Sequence, residues 1–318
     1  MASRTFVATI EPVSTCPVNC EACPVSRRDI EQPKARLMSL AVAGAVASRL
    51  RHEFGVGYAA FGNWGEPLVH PQIVELLAIF KQVGIGSLYL TSSLSARIDA
   101  PALVESALDY LDISISGVSA EVYNIGHRNG DWERVEGNMH ALAKARRESA
   151  SRLKIGLRWH RYRHNEQQFD AARELAEQLG FEFKPYFGHL GGIEAHEDFE
   201  RGTLPQSKQR FIENSVFLEY VERAVAAHVG ESSCPQAENL IIHSDGRLLH
   251  CCALMDSHKT GIDFLALPRR VLESFKRAPN SHCGNCLAKG WSGFMHSSKV
   301  DHRAPAEVAA ELAPSSAS

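Results

Sequence analysis

No stretch of this 318-residue sequence is apolar for long enough to cross a bilayer. The most apolar run, Ala41 to Ala47, is interrupted by Gly44 and closed by Arg49. The opening Met-Ala-Ser-Arg-Thr lacks the apolar core of a secretory signal, so the expected compartment is the cytoplasm, with no membrane partner. Neither sign of charge dominates. Lys and Arg number 34 against 37 Asp and Glu, a net charge of −3, so no overall positive field recruits nucleic acid. A basic recognition helix and an aromatic platform are missing too, as is any internal repeat. With 44% hydrophobic and 22% charged residues and a mean hydropathy of −0.19, the chain is excluded from the collagen, coiled-coil and wholly disordered classes. Its length suits one large domain or two unequal ones.

Cysteine is absent between positions 24 and 233, and that gap divides the eight cysteines into two groups. Cys16, Cys20 and Cys23 form a C-x3-C-x2-C segment; Cys234, Cys251, Cys252, Cys283 and Cys286 follow much later. In a cytoplasmic chain such groups suit metal ligation better than disulfides. Structural zinc usually takes four ligands from paired C-x2-C units, whereas the first group offers three. Three thiolates on a cubane iron–sulfur cluster leave one iron open to a small molecule; a zinc loop completed by a distant residue is the alternative.

This segment, just after a short strand from Thr5 to Ile10, resembles the signature of the radical S-adenosylmethionine enzymes. The resemblance implies a 4Fe–4S cluster on Cys16, Cys20 and Cys23, with S-adenosylmethionine on the open iron and its 5′-deoxyadenosyl radical as hydrogen abstractor. Ala22 departs from the aromatic or large apolar residue usual before the third cysteine, which alters packing against adenine. Further motifs follow in family order. Strand Tyr58–Phe61 runs into Gly62-Asn-Trp-Gly65-Glu66-Pro67, similar to the family's Gly-Glu-Pro loop, where carbonyls and the glutamate receive the methionine ammonium. Leu88–Ser93 carries Ser92, and Leu111–Gly117 carries Ser114. Lys154–His160 carries Arg158, whose polar end is expected at the ribose or carboxylate.

Strand and helix signals alternate. Ser39 is expected to cap a helix from Leu40 to about Phe54, and Pro71 to open one ending before Gly84. Pro101 opens another, Trp132–Arg147 has one apolar face, and Asn165 is expected to cap Glu166–Leu179 before Gly180. A sixth strand falls at Phe181–Phe187. Repeated βα units give an α/β chain with a parallel sheet, and the resemblance implies a partial six-stranded βα barrel with chemistry at the C-terminal strand ends. The expected organisation is a barrel over 1–205, a linking helix over 206–230, an auxiliary module over 231–295 and a frayed tail over 296–318. Within the module, Leu240–His243 and Arg247–His250 flank Asp245-Gly246 and read as a β-hairpin.

The second group can close a site completely, as a structural zinc ribbon would. The resemblance instead implies a twitch-type auxiliary 4Fe–4S cluster on Cys234, Cys251, Cys283 and Cys286, since the family's ligand lies five positions after the hairpin glycine, Gly246. Cys252 is then left over, either as a small buried hydrophobe or as a thiol that returns a hydrogen atom to the substrate face opposite the abstraction. The layout resembles two small twitch enzymes, an epimerase of neomycin-type aminoglycosides and a dehydrogenase of an aminocyclitol alcohol. The spare thiol favours epimerisation, with Cys252 catalytic. The stretch after the sixth strand, Gly191–Glu200, brings Glu194 and Glu197 towards the barrel mouth, where carboxylates would meet a polyamine sugar; a solvated loop is the alternative. Of His160, His164, His189, His243 and His250, only His189 is singled out as a substrate contact. The expected partners are an aminoglycoside or aminocyclitol and an external one-electron donor of flavodoxin or ferredoxin type. A non-catalytic metal sensor would leave the ordered strand-end motifs unexplained. A peptide-modifying enzyme is expected to need a leader-peptide domain for which the chain has no room.

Overall fold

The computed structural model describes residues 5–24, 36–254, 260–296 and 300–312. Six strands, β1 (Val7–Ile10), β2 (Tyr58–Phe61), β3 (Ser87–Ser92), β4 (Tyr110–Ile115), β5 (Lys154–Arg161) and β6 (Glu182–Phe187), pair in parallel and in chain order. Helices connect them: α1 (Leu40–His52), α2 (Ile73–Gln82), α3 (Ala100–Val104), α4 (Ala120–Gly126), α5 (Trp132–Ser149) and α6 (Phe169–Leu179). This is the expected partial βα barrel.

The strands show why. Ala8, Ile10, Phe61, Leu88, Leu90, Ile113, Leu157 and Trp159 share one face of the sheet and are buried under the helices. The other face carries Thr9, Tyr89, Thr91, Ser114, Arg158, His160 and Lys184, half-buried around the barrel interior. Ser39 caps α1 by accepting from the Val42 amide, and Asp99 and Asp131 cap α3 and α5 in the same way.

Past β6 run α7 (Ile193–Arg201), α8 (Gln206–Ser215) and α9 (Leu218–Ala226). The expected single linking helix is therefore two. Val216 and Phe217 break it because both are buried, Phe217 edge-on to Phe187 at 5.4 Å, and tertiary packing overrides the helical pattern. The hairpin follows as β7 (Asn239–Ile242) and β8 (Arg247–Leu249), with Gly246 at φ +82 in its turn, as Asp-Gly predicts. β7 pairs in parallel with β1, and the short β9 (Ile262–Asp263) pairs with β8. The C-terminal module thus extends the barrel sheet along its β1 edge, in the order β6-β5-β4-β3-β2-β1-β7-β8-β9. Three helices complete it, α10 (Arg269–Arg277), α11 (Cys283–Ala288) and α12 (Trp291–His296).

Two further expectations are corrected. Asn165 does not cap α6; it sits inside a preceding 3-10 helix, Arg163–Gln168, in a capping box with Tyr162. Its buried amide accepts from Tyr162 N (2.8 Å) and donates to Ser116 O and His160 O, while α6 starts only at Phe169. The tail is not frayed over 300–312. It forms α13 (Pro305–Leu312), with Val308 buried beside Phe187 and Phe217. Arg161, 0% exposed, anchors this segment. It pairs with Glu166 through two bonds (2.9 and 2.7 Å) and donates to the Asp301 and Arg303 carbonyls. Residues 313–318 lie outside the described part.

Candidate functional site

Parallel pairing puts the C-terminal ends of β1 to β6 on one rim, and the loops that leave it converge. Cys16, Cys20 and Cys23 lie half-buried in the loop after β1. Burial pushes the Cys16 thiol up to about 12, with Glu66, Cys23 and Glu11 adding to the rise. Cys20 is raised as well, by burial and by Cys23 and Cys16. Thiols packed this close cannot all ionise alone, whereas bound cationic metal removes the penalty. Among the described residues no three His, Cys, Asp or Glu side chains gather around a single-ion position; in a cubane each thiolate takes a different iron.

The loop after β2 is held from below. Glu11, 4% exposed at the end of β1, accepts from the backbone amides of Trp64 (3.0 Å) and Gly65 (2.7 Å). Burial raises its carboxyl above the usual range, opposed by these hydrogen bonds. A Cβ on Gly65 would stand 1.9 Å from the Val13 carbonyl oxygen, so only glycine fits there. Pro67 opens a single 3-10 turn, Pro67–Val69, and a Cβ on Gly62 would meet the Pro67 ring at 2.8 Å.

Glu66 is 2% exposed. Its carboxylate accepts from Leu68 N (3.0 Å), Ser92 Oγ (2.7 Å), Ser93 N (2.8 Å) and Ser93 Oγ (2.6 Å). Glu66 and Ser92 therefore lock the β2 loop to the tip of β3, which shapes the rim with their side chains already engaged. Ser114 sits half-buried on the interior face of β4, in register with Arg158 of β5. Arg158 Nε donates to Asp112 Oδ2 (2.6 Å), and its guanidinium covers the Tyr186 ring at 4.6 Å. Next to the first cysteines, Tyr123 is fully buried, and its Oη has no hydrogen-bond partner among the described residues. Burial and the neighbouring Cys20, Glu66 and Cys16 raise its pKa. A buried orphan hydroxyl near Cys16 and Cys20 fits a site that receives a further polar group.

The loop after β6 closes the rim. Gly191 N donates to Ala22 O (2.8 Å), and a Cβ there would lie 3.2 Å from the Trp64 ring. Ile193 N donates to Ala253 O (2.8 Å), next to Cys252, and Asn63 Nδ2 donates to the Cys252 carbonyl (3.0 Å). The small Ala22 and the Gly191-Gly192 pair thus bring the first cysteine loop, the Gly-Glu-Pro loop and the cysteine pair into one neighbourhood.

Cys234, Cys251, Cys283 and Cys286 line one cavity of about 1010 Å³, together with Lys276 and Ser292; Cys252 is not in its wall. A hydrogen bond from Cys252 lowers Cys251 to about 7, and the same bond, with burial, raises Cys252. The donor set and the volume fit a four-thiolate cluster. Burial brings the Lys276 ammonium down to about 8, which the surrounding thiols counteract.

The carboxylates of α7 are placed differently from expectation. Glu197 accepts from Asn285 Nδ2 (3.3 Å) and pairs with His282 Nδ1 (3.1 Å), and Glu200 pairs with Lys289 (3.0 Å). Glu197 therefore clasps α7 to the Cys283–Cys286 turn rather than facing a ligand. Glu194 lies close enough to influence Cys251. His189 is half-buried, with its ring edge-on to Phe294 at 4.8 Å, and burial lowers its pKa. Sequence reasoning did not single out Glu11, Asn63, Tyr123 or Lys276 as site residues. Asn63 lies inside the Gly62–Pro67 motif and Tyr123 in the Glu121-Val-Tyr123 continuation of the fourth strand, whereas Glu11 and Lys276 carried no such signal.

Among the described residues no helix is long and apolar enough to cross a membrane. None of the curated proteins compared with the chain matches it. Similar solved structures include Streptococcus suis SuiB bound to S-adenosylmethionine, with TM-score 0.58 and 13% identity over 90% of this chain and 68% of that one. Native anSMEcpe with bound AdoMet has TM-score 0.57 and 14% identity over 96% and 95%. BtrN in complex with AdoMet and 2-DOIA has TM-score 0.52 and 14% identity over 92% and 91%. At these identities the likeness is one of fold. The family description "Radical SAM superfamily" matches residues 10–176, from the end of β1 into α6. That match takes in more than half of the sequence, and the chain belongs to the Radical SAM superfamily.

Proposed function

We propose that the protein is a radical S-adenosylmethionine epimerase that inverts a carbinol carbon of a neomycin-type aminoglycoside. In this reading residues 1–205 form the barrel, 206–230 the link and 231–295 the auxiliary module. Cys16, Cys20 and Cys23 hold the first 4Fe–4S cluster; Cys234, Cys251, Cys283 and Cys286 hold the second. S-adenosylmethionine is bound in the structures of SuiB and anSMEcpe, which supports the same cofactor here. When bound, cluster and cofactor together supply one-electron cleavage of the sulfonium and a carbon radical that takes a hydrogen atom from a C–H bond.

The rest falls to the protein's own groups. The Gly65–Pro67 backbone, held by Glu11 and by the Glu66–Ser92 lock, presents a fixed polar edge to the methionine end. Arg158, Ser114 and the buried, unpartnered Tyr123 hydroxyl are the proposed nucleoside contacts. His189 and Glu194 are the proposed substrate contacts. Cys252 returns the hydrogen: its S–H bond breaks, a C–H bond forms on the opposite face, and one electron and one proton restore the thiol. The electron would come from an external donor of flavodoxin or ferredoxin type, and a cluster held by Cys234, Cys251, Cys283 and Cys286 would supply a one-electron carrier next to the thiol.

The observation that carries this reading is the position of Cys252. It stands outside the wall of the four-thiol cavity, while its carbonyl is bonded to Asn63 of the Gly-Glu-Pro loop. A thiol needed only to complete the second cluster would line that cavity. Mass spectrometry of the product from a neomycin-type substrate tests the proposal. Epimerisation gives a product isobaric with the substrate; a product two hydrogens lighter would instead identify the oxidation of an alcohol to a ketone.

A further inference from the structure

Helix α10 turns one face inward, carrying Leu272 and, one turn later, Lys276. Lys276 is 3% exposed. Its ammonium donates to the carbonyls of Leu249 (3.3 Å) and His250, the two residues before Cys251. It lines the cavity shared with Cys234, Cys251, Cys283 and Cys286, and the ionisable groups that act on it most are thiols, Cys251 and Cys252 first. Among the described residues no carboxylate is paired with it. The other charged groups of the wall are half-buried or exposed; Glu231 is paired with His228 (2.7 Å) and Arg277 with Glu273 (3.2 Å).

Two carbonyls solvate an ammonium but do not neutralise it, and an uncompensated buried cation is costly. The cost is removed if the cavity holds net negative charge. A cubane with four thiolate ligands is anionic, and one-electron reduction adds one more negative charge without moving a proton. A fixed cation beside it favours the reduced form, since net charge and burial are among the levers that set cluster potentials.

We propose that Lys276 is the counter-charge of the second cluster, raising its reduction potential so that the external one-electron donor can fill it. The proposal rests on the second cluster of the function proposed above. It also gives the Leu249 and His250 bonds a purpose, since they hold the cation at a fixed distance from the Cys251 sulfur.

The test is an anaerobic redox titration of the reconstituted full-length protein, followed by electron paramagnetic resonance. Wild type is compared with K276M, K276R and K276Q, the last keeping a donor for the two carbonyls. At a fixed potential the reduced-to-oxidised ratio of the second cluster is expected to fall about tenfold in K276M and K276Q, which is about 59 mV for a one-electron couple. K276R is expected to stay near wild type, and the first cluster to be unchanged in all three. An unchanged second potential in a neutral variant that carries both clusters overturns the proposal. So does failure of all three variants, K276R included, to load the second cluster, because Lys276 then serves packing rather than charge. Wild-type protein that takes up only about four irons per chain refutes the second cluster itself, a distinct result.

Discussion

The side-chain amide of Asn63 spans 3.0 Å to the carbonyl of Cys252, joining the loop after β2 to the cysteine pair of the C-terminal module. The two residues are far apart in sequence, and this bond ties the backbone of the cysteine pair to that loop. Removing it in Asn63→Ala loosens Cys252 without touching the first cysteines. A hydrogen bond of this kind contributes about 1 kcal/mol, so formation of the inverted product is expected to fall several-fold to about tenfold. Release of 5′-deoxyadenosine is expected to stay close to wild type. Quantifying both species in one reaction checks this; an equal loss of both would place the role of Asn63 elsewhere.

Gly65 provides a steric test of the rim. The 1.9 Å approach of a Cβ to the Val13 carbonyl means that Gly65→Ala must displace the loop. Binding of S-adenosylmethionine, read by equilibrium dialysis, is expected to weaken more than tenfold. Gly44→Ala in α1 is the control. Nothing lies within 4 Å of its Cβ position, so that change is expected to stabilise the helix by about 0.5–1 kcal/mol and to leave binding intact.

Arg161 tests the anchoring of the C-terminal helix. Its guanidinium is fully buried between Phe169 and Phe187 and satisfied by Glu166 and two carbonyls. Arg161→Leu leaves Glu166 and both carbonyls without their partner, and breaking a buried pair typically costs about 3–5 kcal/mol. Urea unfolding is expected to shift by that amount, with α13 becoming the first segment to exchange amide hydrogens. A shift below about 1 kcal/mol would contradict this account.

Buried histidines make the fold acid-sensitive. Burial lowers His127 and His196 to about 4, and His160 and His189 in the same direction. The unfolded chain takes up these protons near pH 6.5 and the native protein does not. The stabilisation is therefore complete above about pH 6.5 and is lost as pH falls towards 4. The urea midpoint is expected to drop steadily over that window, and less steeply in His127→Asn, which can keep a bond to Ser116. A midpoint that rises on acidification would contradict the assignment.

The barrel was legible because each strand alternates and each helix is punctuated, as by Ser39 before α1 and Gly180 after α6. The hairpin was legible because Asp245-Gly246 permits few alternatives. What stayed hidden depends on contacts between distant segments. The pairing of β7 with β1 joins Val7 to Asn239, and no local pattern announces it. Glu11 and Lys276 are single charged residues with no motif around them, and their roles arise only when a remote loop folds over them. Val216 and Phe217 continue a helical pattern in sequence, yet their burial stops the helix. Glu197 was read as a ligand group because it is acidic and near the mouth; its partners His282 and Asn285 come from the far side of the cysteine gap.

The central claim is that Cys252 returns a hydrogen atom to the substrate, and isotope transfer from solvent tests it most directly, because a thiol exchanges its proton with water. In deuterium oxide the account predicts one deuteron at the inverted carbon of the product. Cys252→Ala is predicted to keep cofactor cleavage while losing that product. An inverted product free of deuterium, or its undiminished formation by Cys252→Ala, would contradict the claim.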